Sequence, residues 1–170
     1  MLKIVLLGTG NVARHLFDEF LKHDDIEILR LVGRNPNALA YFEKLVSTST
    51  DFMALPPADV YIVAVSDDAV EEVSNSLEID NKLVVHTSGS VAMTSLAGSN
   101  RSGVFYPLQS FSKGRELQFK DIPICIEAEA AADLRTLEKL AKILSNRVFK
   151  ISSEQRRSLH LAAVFVNNFV

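Results

Sequence analysis

Leu2-Lys3-Ile4-Val5-Leu6-Leu7-Gly8-Thr9-Gly10-Asn11-Val12-Ala13 opens the chain. An apolar run passes at once into G-x-G-x-x-A. Beyond it Val12, Ala13, Leu16, Phe17, Phe20 and Leu21 recur at helical spacing, with Arg14, His15, Asp18, Glu19 and Lys22 on the other face. Strand, tight turn and helix in this order are what a dinucleotide-binding fold uses to set a pyrophosphate on a helix N-terminus. Gly8 lets the chain turn sharply out of the strand. Gly10 has no Cβ to hold a pyrophosphate off the backbone, and Ala13 lets the helix lie close on the strand. The helix start adds unpaired N–H groups and about half a positive charge. Gly8, Thr9, Gly10, Asn11, Val12 and Ala13 are therefore the expected phosphate-binding segment; a plain turn, or a site for another ligand, is the alternative.

Composition narrows the setting. The chain has 170 residues, 48% of them hydrophobic and 23% charged, with a net charge of −3. That suits one domain with a proper core and the start of a second. The mildly acidic balance, without a Lys/Arg cluster, argues against a nucleic-acid surface. Cys125 is the single cysteine, so no internal disulfide or cysteine metal site can form. Within Ile124-Cys125-Ile126 it reads as a packing residue, in keeping with a reducing cytoplasm. Leu2–Leu7 is too short for the apolar region of a signal peptide. No apolar stretch approaches the ~18 residues of a membrane span.

The second strand, Ile26–Val32, ends at Gly33-Arg34-Asn35-Pro36. An acid at this point, about 20 residues past the glycines, would accept from the ribose 2′-hydroxyl of NAD. None stands there. Arg34 can instead form charge-assisted bonds to a 2′-phosphate, with Asn35 as a second donor, so the expected cofactor is NADP; the plain reading of Arg34 is a solvated loop arginine. Pro36 and the apolar set Leu39, Ala40, Phe42, Leu45 and Val46 predict a helix, and Ser47–Thr50 a short strand.

Asp59–Val65 reads as a buried parallel strand. Val65, Ser66 and Asp67 at its carboxyl end should border the cofactor, and capping of the next helix would equally explain Ser66. For Asp67 and Asp68, capping of the next helix, with Ala69, Val70, Val73 and Leu77 inward, is the favoured reading. Lys82–Val85 is another strand, emptying into His86-Thr87-Ser88-Gly89-Ser90. Thr87 and Ser88 can bond a ligand oxygen, and His86 can carry a proton near neutral pH. A loop that satisfies its own backbone is the alternative. His15 and His23 fall on or beside a polar helix face and should be exposed.

Gly103–Phe111 reads as a strand stopped by Pro107, with Tyr106 and Gln109 as polar handles. Asp121–Ala128 is a strand, Ala131–Leu144 a helix and Arg147–Ile151 a last strand. From Ser152 a helix runs through His160 into Leu161-Ala162-Ala163-Val164-Phe165-Val166-Asn167-Asn168-Phe169-Val170, apolar on nearly every face. Such a helix should be buried, in a further helical region, a second subunit, or both. His160 and Asn167 share one of its faces, seven residues apart; ligand contact and pairing with other buried groups are both open.

Gly8-Thr9-Gly10-Asn11-Val12-Ala13, the His86–Gly89 turn, Phe105-Tyr106-Pro107-Leu108-Gln109-Ser110-Phe111 and the closing His160-Leu161-Ala162-Ala163 helix occur in that order. Together they resemble a family of NADP-dependent oxidoreductases with an N-terminal Rossmann-like domain and a helical C-terminal domain of unknown function. More distantly the chain is similar to deazaflavin-dependent NADP oxidoreductases, pyrroline-5-carboxylate reductases, and the 6-phosphogluconate and 3-hydroxyisobutyrate dehydrogenases. The hydroxyacid dehydrogenases carry a lysine and an asparagine one turn apart on the first helix of their second domain. Here no lysine follows Lys150, and Val164 stands four beyond His160, which departs from that mechanism.

The expected fold is a doubly wound, mostly parallel α/β sheet over residues 1–151, followed by the first helix of an all-α, dimer-forming domain over residues 152–170. The expected function is hydride transfer between NADP and a small carbonyl, imine or hydroxyacid, with His86 or His160 as proton donor. A non-catalytic dinucleotide sensor or regulatory subunit, and a site for another nucleotide such as a methyl donor, are the competing classes.

Overall fold

A computed structural model of the chain describes residues 1–96, 98–114 and 116–169. Its centre is an eight-stranded sheet. The strands are β1 (Leu2–Leu7), β2 (Ile26–Val32), β3 (Thr48–Ser49), β4 (Val60–Val63), β5 (Leu83–His86), β6 (Arg101–Pro107), β7 (Ile124–Ala128) and β8 (Val148–Lys150). They lie in the order β3-β2-β1-β4-β5-β6-β7-β8, parallel throughout except where β7 runs against β6. This is the doubly wound sheet expected, with an antiparallel turn at one side.

The alternation along each strand explains why both faces are covered. Ile4 and Leu6 of β1, Val60 and Ile62 of β4, and Leu83 and Val85 of β5 enter one core. There they meet Leu16, Phe17 and Phe20 of α1 (Asn11–Phe20) and Leu137, Leu140 and Leu144 of α4 (Ala131–Leu144). Their neighbours Val5, Leu7, Tyr61, Val63 and Val84 face the opposite core, closed by Val70 and Val73 of α3 (Val70–Ser76). A strand apolar at every position thus splits its side chains between two layers.

One predicted helix is shorter than expected. Helix α2 covers only Pro36–Leu39. Beyond it Phe42 bonds back to Leu39 and Leu45 to Phe42, closing three-residue turns. Phe42 is buried against Phe17, but Leu45 is exposed rather than inward. The last helix, α5 (Ser153–Phe169), does form. Within this chain its apolar side chains stay open, Leu161 70% and Val166 52% exposed, because its anchoring side chains lie in its first two turns, at Ser153, Arg156 and His160. Val170 lies outside the described residues. Cys125 is buried in β7, where burial pushes its thiol up to about 11. Among the described residues, no helix is long and apolar enough to cross a membrane.

Candidate cofactor cleft and proton-handling site

The strand order reverses between β1 and β4, and there the carboxyl ends of β1, β2, β4, β5 and β6 open into a cleft of about 590 Å³. Ligands of open α/β sheets sit at such a reversal because the two connections leave on opposite faces. Gly8 turns the chain out of β1 at a φ of +127°, and a Cβ there would stand 2.0 Å from the carbonyl oxygen of Ala64. Only glycine satisfies both constraints. Gly10 is the N-cap of α1, with no side-chain cap hydrogen bond and no acid in the first turn. A Cβ on Gly10 would meet nothing within 4 Å. The start of α1 is therefore an uncapped, unneutralised array of amides facing open space, which fits a phosphate.

Of the expected phosphate segment, Gly8, Thr9, Gly10, Asn11 and Val12 line the cleft. Ala13 does not; it is fully buried in the core beneath α1. Asn11 reaches across the cleft, its Nδ2 donating to the carbonyl of Phe111 at 3.3 Å. His15, expected exposed, bonds the carbonyl of Ser112 at 2.8 Å, and His23 pairs with Glu19 at 3.1 Å. Asn11 and His15 thus clasp the loop after β6 over the first helix.

The second wall holds Gly33, Arg34 and Asn35 after β2. A Cβ on Gly33 would lie 2.4 Å from Thr9 Cγ2, so the β1 and β2 turns pack directly. Arg34 pairs with Glu72 of α3 at 3.2 Å, both side chains more than half exposed. Asn35 accepts from Asn37 N–H and so caps α2, leaving its amide NH₂ toward solvent chemistry. Val65 and Ser66 also line the cleft. The aspartates do not cap: neither the short 3₁₀ turn Asp67–Ala69 nor α3 has a side-chain cap. Asp67 instead accepts from Ser90 Oγ at 2.8 Å, tying the turns after β4 and β5 together.

After β5, Thr87, Ser88 and Gly89 line the cleft, but His86 does not. His86 is fully buried. Its Nδ1 accepts from Ser88 N–H at 3.0 Å, and its Nε2 contacts the carbonyl of Ala92 at 3.3 Å. Burial, then the Arg156 cation, lower it to about 4. With both ring nitrogens bound to the backbone, His86, expected as a proton donor, serves in this structure to organise its turn. Ser88 Oγ accepts from the N–H groups of Ser90 and Val91, so its own O–H remains available as a donor.

The far end of the cleft combines β6 with α5. Tyr106 Oη and His160 Nδ1 share a hydrogen bond of 2.9 Å, the rings edge-to-face at 5.8 Å. Arg156, one turn before His160, is 1% exposed; it pairs with Glu127 of β7 at 2.6 Å and donates to the carbonyl of Val91. Ser153 Oγ donates to Glu127 and accepts from Met93 N–H. A second cleft of about 520 Å³ opens beside the first, and Tyr106, Gln109 and His160 line both. Asn167, on the His160 face, donates from Nδ2 to Ser110 Oγ at 3.1 Å along this second cleft.

The sequence marks Tyr106 and Gln109 as polar handles without assigning them to the site, and it does not single out Glu72 or Arg156. A polar residue just before the strand-ending Pro107 was the available signal for Tyr106; for Glu72 and Arg156 there was none, since their partners are distant in sequence.

Residues 3–89 match the family described as NADP oxidoreductase, coenzyme F420-dependent, and residues 122–170 match a domain family of unknown function. A solved structure of a Bacteroides fragilis protein provisionally classed as an NADP oxidoreductase is 40% identical, covering 99% of this chain and 67% of its own, with a TM-score of 0.89. A Thermotoga maritima protein is 24% identical over 98% of this chain and 64% of its own, with a TM-score of 0.76. A pyrroline-5-carboxylate reductase of Coxiella burnetii is 18% identical over 98% and 67%, with a TM-score of 0.71. The last two likenesses concern the fold alone. The chain spans about two thirds of the length of these proteins. No curated protein matches it in sequence.

Proposed function

Because the chain belongs to the family of coenzyme F420-dependent NADP oxidoreductases, we propose that its long cleft binds NADP for hydride transfer to or from a small carbonyl, imine or hydroxyacid. The observation that carries the reading is the uncapped start of α1, open above Gly10. In this reading the pyrophosphate meets the amides of Gly10, Asn11 and Val12, and Thr9 flanks it. Arg34 and Asn35 take the 2′-phosphate. Val65, Ser66, Thr87 and Ser88 border the nicotinamide end, with Ser88 offering an O–H. Gly8 and Ala13 act through the backbone, by shaping the turn and seating α1.

When bound, the nicotinamide supplies or accepts the hydride; the protein contributes position and electrostatics. The second cleft is the substrate side, and His160 the proton-handling group, supported by its place in the walls of both clefts. Residues 1–151 form the NADP-binding domain, and residues 152–170 begin a helical region through which the protein forms a homodimer. The exposed apolar side chains of α5 support that reading. The single buried Cys125 is in keeping with a cytoplasmic setting.

Titrating the protein with NADP and NAD tests the cofactor assignment. NADP should bind tighter by roughly tenfold or more, as expected for a hydrogen-bonded charge pair, and Arg34→Ala should erase that preference. Tighter binding of NAD would overturn the assignment. Binding of NADP without any turnover in the full-length protein would favour a sensor over an enzyme.

A further inference from the structure

The Tyr106–His160 hydrogen bond lies where the two clefts meet. Its surroundings are arranged around it. A Cβ on Gly89 would stand 2.3 Å from His160 Nδ1 and 2.8 Å from the Tyr106 ring. Only a residue without a side chain leaves room for the pair. The Arg156–Glu127 pair pins the preceding turn of α5 to β7, and Tyr106 is fixed from below by its antiparallel pairing with Cys125.

We propose that Tyr106 is a positioning residue: by donating its O–H to Nδ1 of His160, it holds the imidazole proton on Nε2 and presents that N–H to a substrate atom at the junction of the clefts. A neutral imidazole has one donor and one acceptor nitrogen, so the partner of one fixes the role of the other. In this proposal the phenol is the donor, and at rest it keeps its proton. Burial, with a smaller contribution from Cys125, pushes Tyr106 up to about 12, and the Arg156 cation pulls the other way. Asp67 and Arg156 are the charged groups that act on the phenol, from the β4 turn and from α5.

A hydride arriving from a reduced cofactor would leave an electron pair on the carbonyl oxygen or imine nitrogen. The Nε2–H bond would then break and an O–H or N–H bond form on the substrate, while Nδ1 takes the Tyr106 proton. The pair is reset when Nε2 takes a proton from solvent and Nδ1 returns its own to the Tyr106 oxygen, with the Arg156 cation offsetting the transient charge.

This inference rests on the proposed function only for the identity of the substrate side; the tautomer itself can be read without cofactor. The protein has four histidines, so long-range proton–nitrogen spectra of the ¹⁵N-labelled protein, at a pH where imidazole is neutral, resolve each ring. Loss of one set of signals in His160→Gln assigns His160. Wild-type His160 should show the Nε2–H form in clear excess. Tyr106→Phe, which keeps the ring but removes the O–H, should shift that ratio by about fivefold, the bias of one ordinary hydrogen bond. Gly89→Ala, which crowds both rings and so breaks their bond while keeping the Tyr106 hydroxyl, should shift it the same way, and it carries the test if Tyr106→Phe does not fold. A wild-type ring protonated on Nδ1, or a ratio unchanged in the folded variants, overturns the proposal. Either result leaves the NADP assignment standing, since that is read by titration.

Discussion

The two ends of the long cleft are built by opposite means. At the β1–α1 end a ligand would meet main-chain amides and glycines within a few residues of one another, from Gly8 to Val12. At the β6–α5 end the groups are the side chains of Tyr106, Glu127, Arg156 and His160, drawn from three elements far apart in the chain and joined by a buried ion pair and a side-chain bond. Backbone recognition of phosphate needs only local geometry, so it tolerates almost any surrounding sequence. Proton handling needs one nitrogen in one place, and only tertiary packing provides that.

Breaking each end separately should therefore fail in different ways. The largest effect is expected from Arg156→Met. Glu127 would be left half-buried without its cation, and such a loss costs about 3–5 kcal/mol, or about 10 °C in Tm for a domain of this size. Thermal unfolding reads the loss. NADP binding at the glycine end should survive in whatever fraction folds. If stability were unchanged, the ion pair would not be what anchors α5.

Gly8→Ala should come next, at about 3–4 kcal/mol. A φ of +127° strains any residue with a Cβ, and the Cβ would force the Ala64 carbonyl away. Here the outcome is reversed: with the pyrophosphate seated on the turn that aims α1, as proposed, NADP affinity should be lost together with stability. A folded variant with full affinity would show that the glycine serves packing alone.

The same contrast explains what could be read in advance. The alternation of Ile4 and Leu6 against Val5 and Leu7, and the glycine turn after them, are local patterns with one favourable outcome, so the sheet and the turn were legible. Arg34 was legible as a cleft residue because an acid was missing from its position. His86 misled because its sequence neighbours, three hydroxyl residues and a glycine, are those of a ligand loop. What decides its role is the N–H of Ser88 and the carbonyl of Ala92 closing on its ring, and no composition records that. Tyr106 became a site residue only when α5, fifty-four positions on, returned His160 to it.

His86 supplies a pH test of its structural role. Its folded pKa is lowered from 6.5 to about 4, chiefly by burial and then by Arg156. Below pH 6.5 the unfolded chain takes up a proton at this ring that the folded chain refuses until about pH 4. The stability due to neutral His86 is thus fully present above 6.5 and is lost as the pH falls through 4, in total about 3 kcal/mol. Denaturant unfolding across that window should show the decline, and His86→Gln should flatten much of it. A ring that titrates near 6.5 in the folded protein would return His86 to the list of proton donors.

The smallest effect tests the glycine end most finely. Arg34 and Glu72 pair at 3.2 Å with side chains 57% and 72% exposed, and such pairs contribute only about 0–1 kcal/mol. A 2′-phosphate must take Arg34 from Glu72 and sit near a second negative charge. Glu72→Gln removes both obstacles while keeping the shape of the side chain. It should tighten NADP by about two- to fivefold, with the gain fading as salt is added, and leave NAD unchanged. Calorimetric titration at two ionic strengths separates these results. Equal gains for both cofactors would mean that Glu72 acts on the pyrophosphate through the general field of the cleft. No gain for NADP would mean that Arg34 stays with its carboxylate partner, and the 2′-phosphate would then have to be read by Asn35 and the backbone alone.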